Sequence, residues 1–494
     1  MDGRPITARL AGHGGRLAIV DPAGSWSYHQ LDTEARAVAS ALLDGRDALD
    51  GARVAVLAGA GRDFVVALLA CWHAGAMAVP LHPPHPIAEL AFVVGDADAE
   101  AIVASADHEA TVATLSQHVA LRALTVDEAA TAAPVEDSRA RPDDAALMIY
   151  TSGTTGRPKG VVHTHTSIAA QVDGMLAAWA WRPDDRIVLV LPLNHVHGVV
   201  NVTLCAPAAG AVCEAPGPFD AVAVWERLAS GDVSLFMAVP TIYARLTAAW
   251  DAADGKTRVR WSEGAARLRL MVSGSAALPV STLERWRQLT GHTLLERYGM
   301  TELGMALGNT LEQRVPGHVG VPFPGVEARL VDDAGADVAS GQAGELLIRG
   351  PNVFREYWRR PEATAEAFVD GWFRTGDIAV LDHGSYRLLG RSSVDIIKTG
   401  GEKVSALEIE ELYRTHPDIA DIAVVGLDDP EWGERVSAAI ALRAGATLDP
   451  AELRAWGKER LAAAKVPSRY VFVHDLPRNT LGKVLKPSVK QLFT

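Results

Sequence analysis

Apolar runs of strand length alternate with stretches of helical periodicity through roughly the first 240 residues. The pattern predicts strands at Arg53–Ala58, Ala76–Leu81, Ala101–Ala104, Ala123–Val126 and Ile187–Leu193, and helices at Leu31–Leu43, Asp63–Ala74 and Asp107–Val119. Such alternation is typical of a parallel sheet with helices on its faces. The first half of the chain is therefore predicted to be α/β.

From Ala328 onward the pattern changes to short strands separated by turns. These strands are predicted at Ala328–Val331, Gly344–Arg349, Ile378–Leu381 and Ser385–Leu389. The segment from Ile396 to the end has its own strand and helix periodicities, and its roughly 100 residues match the size of a small domain. We predict a boundary near Gly390–Ser393, with an N-terminal domain of residues 1–391 and a C-terminal domain of residues 392–494.

Length and charge narrow the classes of function. The chain has 494 residues, more than one core of about 250–300 residues usually holds. Its 47 Lys+Arg against 60 Asp+Glu give a net charge of −13, which argues against nucleic acid or an anionic membrane as a partner. No stretch approaches the roughly 20 apolar residues of a membrane helix. We expect small-molecule substrates, with local cations if a substrate is anionic.

The three cysteines, Cys71, Cys205 and Cys213, are too few for a disulfide framework and have apolar or small neighbours. We interpret them as buried thiols in a reducing compartment. The first eleven residues contain no apolar core of a secretory signal. These observations predict a soluble, cytoplasmic protein.

The segment Tyr150–Gly160 is the most informative in the chain. It contains four Ser or Thr residues, three glycines and Lys159 within ten positions, directly after an apolar strand predicted at Ala146–Ile149. Glycines allow the backbone to approach phosphate oxygens, which hydroxyls and N–H groups then bind. The spacing does not match the Walker loop, which needs Gly-x-x-x-x-Gly-Lys-Ser/Thr. A polar surface turn is the alternative interpretation.

This loop resembles the phosphate-binding motif of the adenylate-forming superfamily, which comprises acyl-CoA synthetases, luciferases and peptide-synthetase adenylation domains. Other segments resemble that family in the family's order: Arg297–Glu302, Thr375–Asp377, Gly390–Arg391, Lys398–Lys403 and Pro477–Lys483. Together these motifs span nearly the whole chain. We therefore identify the chain as a member of this superfamily.

The resemblance implies a fold and a reaction. The implied fold is a large N-terminal domain of parallel and mixed sheets with helices, a small β-barrel-like subdomain, and a small mobile α+β C-terminal domain. The implied cofactors are ATP, Mg²⁺ and coenzyme A, the last as a co-substrate. A carboxylate would attack the α-phosphorus of ATP, and a thiol would then displace AMP from the acyl-AMP.

Roles follow residue by residue from the resemblance. Lys483, Glu302 and His197 are expected to be catalytic, with Glu302 and Thr155 on Mg²⁺. The expected phosphate-binding residues are Thr151, Ser152, Gly153, Thr154, Thr155, Gly156, Lys159 and Thr301. The expected adenine- and ribose-binding residues are Gly274, Ser275, Ala276, Glu296, Tyr298, Gly299, Asp377 and Arg391. Gly400 and Gly401 are expected to line the coenzyme A tunnel.

The hinge departs from the family pattern. The family usually has a Lys or Asp shortly after the Gly-Arg pair, whereas Gly390-Arg391 is followed by Ser, Ser, Val and then Asp395. The pivot could be Ser393 or Val394. We still expect the domain rotation that exchanges Lys483 for the Gly400–Gly401 loop.

Arg297 narrows the identity of the acid. A guanidinium beside an acyl pocket is costly unless an anion pairs with it, and arginine is suited to binding a carboxylate. With its neighbouring motifs, Arg297 resembles the malonyl-CoA synthetases. That resemblance implies a malonate site of Arg297, Ser275, His195, Val196 and Met305, with Arg245 as a further candidate.

Alternatives remain for several of these residues. The histidines at 195 and 197 could hold a metal or bond to backbone, and Arg245 could be a helix-surface arginine. The chain could also use methylmalonate or a short monocarboxylate, or load a carrier protein as a freestanding adenylation enzyme. A non-catalytic ATP sensor would not need both Lys483 and Glu302, and a phosphotransferase is disfavoured by the failed Walker spacing.

Overall fold

The computed structural model describes residues 5–151, 158–400, 402–478 and 483–493. Its strands are β1 (Leu17–Asp21), β2 (Gly24–Ser27), β3 (Arg53–Leu57), β4 (Met77–Pro80), β5 (Ala101–Ala104), β6 (Arg122–Thr125), β7 (Ala145–Thr151), β8 (Lys159–Thr164), β9 (Arg186–Val188), β10 (Val212–Glu214), β11 (Leu235–Ala238), β12 (Leu270–Ser273), β13 (Leu295–Met300), β14 (Gly304–Gly308), β15 (Val321–Pro322), β16 (Glu327–Val331), β17 (Ala343–Arg349), β18 (Glu356–Tyr357), β19 (Phe368–Val369), β20 (Trp372–Asp382), β21 (Ser385–Arg391), β22 (Ile396–Thr399), β23 (Glu402–Ser405), β24 (Ile419–Asp429), β25 (Gly433–Leu442) and β26 (Arg469–Val473).

The helices cover the faces of these strands. They are α1 (Ile6–Ala11), α2 (Tyr28–Leu43), α3 (Arg62–His73), α4 (Ile87–Asp96), α5 (Glu109–Leu115), α6 (Val126–Ala129), α7 (His165–Ala178), α8 (Val196–Gly198), α9 (Cys205–Ala209), α10 (Ala221–Ala229), α11 (Pro240–Ala252), α12 (Gly255–Ala265), α13 (Val280–Thr290), α14 (Pro361–Glu366), α15 (Ala406–Tyr413), α16 (Pro450–Lys458) and α17 (Lys486–Gln491).

The alternating first segment forms a sheet with the order β18-β8-β7-β4-β3-β5-β6. The strands from β7 to β6 in this order pair in parallel, while β8 returns antiparallel to β7. Helix α2 begins at a capping box in which Ser27 and Gln30 satisfy each other's backbone N–H groups. The predicted α/β organisation of this part is confirmed.

A second, mixed sheet has the order β15-β14-β13-β12-β11-β9-β10-β1-β2. Strands β12 and β13 are parallel neighbours, with Ser273 opposite Glu296, and β14 folds back antiparallel onto β13. The predicted strand Ile187–Leu193 is too long, because pairing stops at Val188. Pro192, which has no N–H to donate to a ladder, lies in the irregular stretch that leads to His195.

The strand-and-turn region forms an antiparallel sheet with the order β16-β17-β20-β19, and β21 also pairs with β20. This is the region predicted as a small β-barrel-like subdomain. The last segment forms a separate α+β unit with the order β23-β22-β25-β24, in which β26 runs parallel to β25. The predicted boundary at residues 391 and 392 falls in the turn between β21 and β22.

Polar contacts join this last unit to the rest of the chain. Glu411 on α15 accepts the N–H of Val280, the first residue of α13, at 2.9 Å. The helix has no side-chain cap of its own at its N-cap residue, Pro279. Lys403 pairs with Asp333 at 2.7 Å, although both side chains are more than half exposed. The described contacts between the two parts thus include a hydrogen bond at a helix end and an exposed ion pair.

The three cysteines are free and buried, as predicted. Within the described ranges, no helix combines the length and the apolar character needed to cross a membrane.

Candidate active site

The hairpin of β7 and β8 carries the two ends of the predicted phosphate loop. Thr151 and Lys159 face each other as a cross-strand pair at the end of the hairpin that this loop connects. The predicted residues Ser152, Gly153, Thr154, Thr155 and Gly156 lie outside the described residues. The Lys159 ammonium lies 5.0 Å from the centroid of the Tyr357 ring, which places a cation on an aromatic face.

Glu302 contacts the same tyrosine. Its side chain is buried, and its Oε1 accepts a hydrogen bond from the Tyr357 hydroxyl at 2.8 Å. Burial raises the pKa of Glu302 above its ordinary value, and the hydrogen bond from Tyr357 offsets only part of that rise. The carbonyl of the preceding Thr301 is 2.7 Å from Nε2 of the buried His163. The phosphate side of the site is therefore built on a rigid polar framework.

Asp377 provides a second carboxylate beside Glu302. Its Oδ2 accepts from the Tyr298 hydroxyl at 2.5 Å, and its Oδ1 accepts from Arg391 Nε at 3.1 Å. Arg391 and Asp377 both act electrostatically on Glu302, so these predicted residues share one site. The arrangement presents ionic and hydroxyl groups suited to ribose and phosphate. Adenine or ribose binding by Tyr298 stays a prediction, since its ring is largely buried.

The glycines of this region are required by close packing. A Cβ atom on Gly299 would lie 2.0 Å from the carbonyl oxygen of Gly304, and one on Gly274 would lie 2.5 Å from Arg297 Cζ. A side chain at position 299 would collide with backbone, and one at position 274 would have to displace the Arg297 guanidinium. Gly274 thus gives room to a guanidinium, a role that the sequence alone did not indicate.

Arg297 lies at the centre of the predicted acid pocket. It is only 4% exposed, and burial lowers its pKa to about 9. Its Nη2 donates to Ser275 Oγ at 3.3 Å, but Nε and Nη1 have no hydrogen-bond partner among the residues described. Among the residues described, no carboxylate forms an ion pair with Arg297. A buried cation with two unpaired nitrogens can bind an anionic group.

Ser275 and His197 complete this cluster. Ser275 has a φ of 70°, in the left-handed region that a residue with a side chain rarely adopts. Its Oγ lies 3.1 Å from Nδ1 of His197. Burial, reinforced by the charge of Arg297, lowers the pKa of His197 far below its ordinary value. His197 is therefore a neutral hydrogen-bonding group at neutral pH.

His195 acts electrostatically on the neighbouring His197. Burial lowers its pKa to about 4, and the nearby His82 and His85 act in the same direction. The rings of His82 and His85 are 4.7 Å apart. No group of three or more His, Cys, Asp or Glu within the described ranges has an arrangement that could hold a metal ion. The metal alternative for His195 and His197 gains no support.

Val196 and Met305 are buried in one apolar cluster, as an acyl pocket requires. Arg245, by contrast, is exposed on α11, with its guanidinium 4.4 Å from the centroid of the Phe219 ring. This placement favours the helix-surface alternative for Arg245. Its binding to malonate stays a prediction.

Glu296 and Ala276, both predicted to bind adenine or ribose, differ in their exposure to solvent. Glu296 is buried, its Oε1 accepts the N–H of Gly317 at 2.7 Å, and burial raises its pKa to about 8. Ala276 is exposed in the loop after β12. The carboxyl of Glu296 is thus already bonded within the protein, so its contact with a nucleotide stays a prediction.

The C-terminal residues are described in part. Lys483 is exposed and acts electrostatically on Asp395, whose pKa burial raises. Gly400 has a φ of 58° and donates its N–H to the Trp432 carbonyl at 2.9 Å, whereas Gly401 lies outside the described residues. In the hinge, Asp395 Oδ2 accepts the N–H of Arg391 at 3.1 Å, so Ser393 and Val394 lie within a closed turn.

Sequence reasoning missed Tyr357 and His163. Both act through hydrogen bonds to the Thr301-Glu302 pair over 55 and 138 positions of sequence separation, respectively. Neither belongs to a motif with a spacing that suggests chemistry, so no local signal could have found them.

The residues present fit a magnesium ion shared with a nucleotide. Mg²⁺ prefers oxygen ligands and is usually held by one or two carboxylates together with substrate phosphates. Glu302 offers a buried carboxylate on the same side as Lys159. Its Oε1 is oriented by a neutral hydroxyl. Glu302 would hold the ion, which would supply positive charge on the phosphates.

Comparisons with known proteins agree with this geometry. A model of the AMP-binding enzyme family matches residues 6–358, and a model of the AMP-binding enzyme C-terminal domain matches residues 408–483. The chain is 44% identical to the mitochondrial malonate–CoA ligase ACSF3 of Mus musculus, over 99% of this chain and 91% of that protein.

Two crystal structures of MatB from Rhodopseudomonas palustris, each 33% identical, cover 99% of this chain and 98% of their own. The TM-score is 0.91 with the ATP-bound form and 0.82 with the apo form. The arrangement described here is therefore closer to the ATP-bound one. The resemblance and fold inferred from sequence are confirmed, and the chain belongs to the AMP-binding enzyme family as an acyl-CoA synthetase.

Proposed function

We propose that this protein is a malonate–CoA ligase, which converts malonate, ATP and coenzyme A into malonyl-CoA, AMP and pyrophosphate. The observation that carries the proposal is the buried guanidinium of Arg297, with two nitrogens that lack partners among the described residues. Burying a cation without an anion costs several kcal/mol. A second carboxylate on the substrate would relieve this cost.

The pocket also limits the size of the acid. Val196 and Met305 are both buried, and Met305 lies against the close contact between Gly299 and Gly304. Apolar side chains next to a buried cation would suit a short dicarboxylate. The relatives named as malonate–CoA ligases support the same assignment.

The proposed reaction has two steps, adenylation of malonate and transfer of the malonyl group to coenzyme A. In the first, a malonate oxygen attacks the α-phosphorus, the bond to the β-phosphate breaks, and pyrophosphate leaves. Lys159, Arg391 and, by resemblance, Lys483 provide positive charge where the two anions meet. In the second, the coenzyme A thiolate attacks the acyl carbon and AMP leaves with the electrons of the broken bond.

Pyrophosphate release with acetate, propionate, malonate, methylmalonate, succinate, octanoate and benzoate, each with and without coenzyme A, tests the proposal. We expect malonate to give the highest kcat/KM and to form a thioester only when coenzyme A is present. Faster turnover of a monocarboxylate would contradict the dicarboxylate assignment. Transfer to a phosphopantetheinylated carrier protein in preference to coenzyme A would instead identify a freestanding adenylation enzyme.

A further inference from the structure

Tyr357 touches both charged side chains on the phosphate side of the site. Its hydroxyl donates to Glu302 Oε1 at 2.8 Å, and its ring centroid lies 5.0 Å from the Lys159 ammonium. These two partners lie 143 positions apart in the sequence. Tyr357 is therefore the physical connection between the lysine of the phosphate loop and the expected magnesium ligand.

The backbone around Tyr357 is held by strand β8 and by the backbone of Glu302. Strand β18 pairs antiparallel with β8, which places Tyr357 opposite Val161. Phe354, three residues earlier, donates its N–H to the carbonyl of Glu302 at 2.7 Å. The N–H of Tyr357 is itself bonded to Thr364 Oγ1 at 3.0 Å. The ring is thus held in place independently of any ligand.

We propose that Tyr357 is a positioning residue for nucleotide binding, which aims the Glu302 carboxylate at the magnesium of Mg·ATP and keeps the Lys159 ammonium beside it. The inference rests on the proposed role of Glu302 as a metal ligand. It does not depend on which acid the enzyme activates. A carboxylate that hydrogen-bonded neighbours hold in one orientation binds its metal more tightly than a free one.

The hydroxyl and the ring have separable roles. Tyr357→Phe removes the hydrogen bond to Glu302 but keeps an aromatic face for Lys159. Tyr357→Leu removes both. Tyr386→Phe is a matched control, because Tyr386 packs in the same apolar cluster and its hydroxyl donates to a backbone carbonyl, that of Ala328, at 3.3 Å.

Calorimetric titration of ATP with and without Mg²⁺, in the absence of any acid, tests the inference. We expect Tyr357→Phe to weaken Mg·ATP binding by about tenfold, since a hydrogen bond to a charged group is lost. Binding of metal-free ATP should change by less than about twofold, and Tyr386→Phe should change neither. Equal weakening of both forms of ATP in Tyr357→Phe would overturn the proposal.

A double-mutant cycle gives a second, independent readout. If Tyr357 acts through Glu302, then Glu302→Gln with Tyr357→Phe should bind Mg·ATP no more weakly than Glu302→Gln alone. Additive effects would contradict the proposal even if each single variant binds weakly. Comparison of melting temperatures separates a loss of folding from a loss of binding. Because no acid is present, a failure here leaves the malonate assignment untouched.

Discussion

Arg297 packs so closely on Gly274 that a Cβ atom there would lie within 2.6 Å of three guanidinium atoms. The two residues come from neighbouring parallel strands, since Gly274 follows β12 and Arg297 belongs to β13. The position of the one buried cation in the acid pocket therefore depends on a missing side chain.

Gly274→Ala tests this dependence. The new methyl group must displace the guanidinium, at an overpacking cost of about 1–3 kcal/mol. We expect kcat/KM for malonate to fall by at least about tenfold, with a smaller change for propionate. Steady-state kinetics with both acids measure the effect. Gly255→Ala is the control, because a Cβ there meets nothing within 4 Å. Unchanged malonate kinetics would show that Arg297 can move without loss.

Arg297→Ala should cost malonate about 2–5 kcal/mol in kcat/KM, the usual loss when one partner of a desolvated charge pair is removed. Propionate, which lacks the second carboxylate, should lose much less. Arg297→Lys should restore only part of the activity, because an ammonium is a point charge and not a planar fork. A uniform loss for both acids, with a higher KM for ATP, would assign Arg297 to the fold or the nucleotide.

Arg245→Ala tests whether Arg245, the remaining candidate, binds malonate. Its side chain is exposed and lies over Phe219, so we expect kcat/KM for malonate to change by less than about twofold. A loss comparable with that of Arg297→Ala would bring Arg245 back into the acid site.

Glu296 should make stability depend on pH. Burial raises its pKa to about 8, so between its ordinary value of 4.5 and about 8 the folded state holds a proton that the unfolded state has lost. Stability therefore falls as the pH rises through this window, by at most about 5 kcal/mol from this group. Melting temperatures from pH 5 to 8 should fall less for Glu296→Gln than for the native chain. Parallel curves would exclude Glu296 as the cause.

Lys483→Ala should impair adenylation and spare thioester formation. By resemblance, its ammonium bridges the carboxylate and the α-phosphate only in the first step, so its loss affects that transition state alone. The rate of pyrophosphate release should fall by at least about a hundredfold. The rate of malonyl-CoA formation from supplied malonyl-AMP should stay near that of the native enzyme. Equal losses in both assays would contradict the assignment.

Motifs and periodicity predicted the family and the α/β sheet. These predictions succeeded because family motifs are local in sequence, and apolar strands such as Ala101–Ala104 form where the pattern places them. The strand predicted at Ile187–Leu193 was too long, because an apolar run shows burial and not pairing.

Long-range contacts explain what the sequence could not predict. Tyr357 and His163 reach the Thr301-Glu302 pair only after the sheets have formed, and Gly274 is needed because of a side chain on another strand. The fold also gives no information on the cellular compartment of the protein. The mouse relative is named as mitochondrial, so a cytoplasmic location stays a prediction.

The bond between Glu411 and Val280 bears on how easily the enzyme changes shape. If the last unit rotates as the family resemblance implies, the N–H of Val280 must exchange this carboxylate for water, and Lys403 must leave Asp333. Each exchange alters the free energy by only about 1 kcal/mol. These two contacts alone therefore oppose the rotation only weakly, and a small difference in ligand binding between the two arrangements would offset their loss.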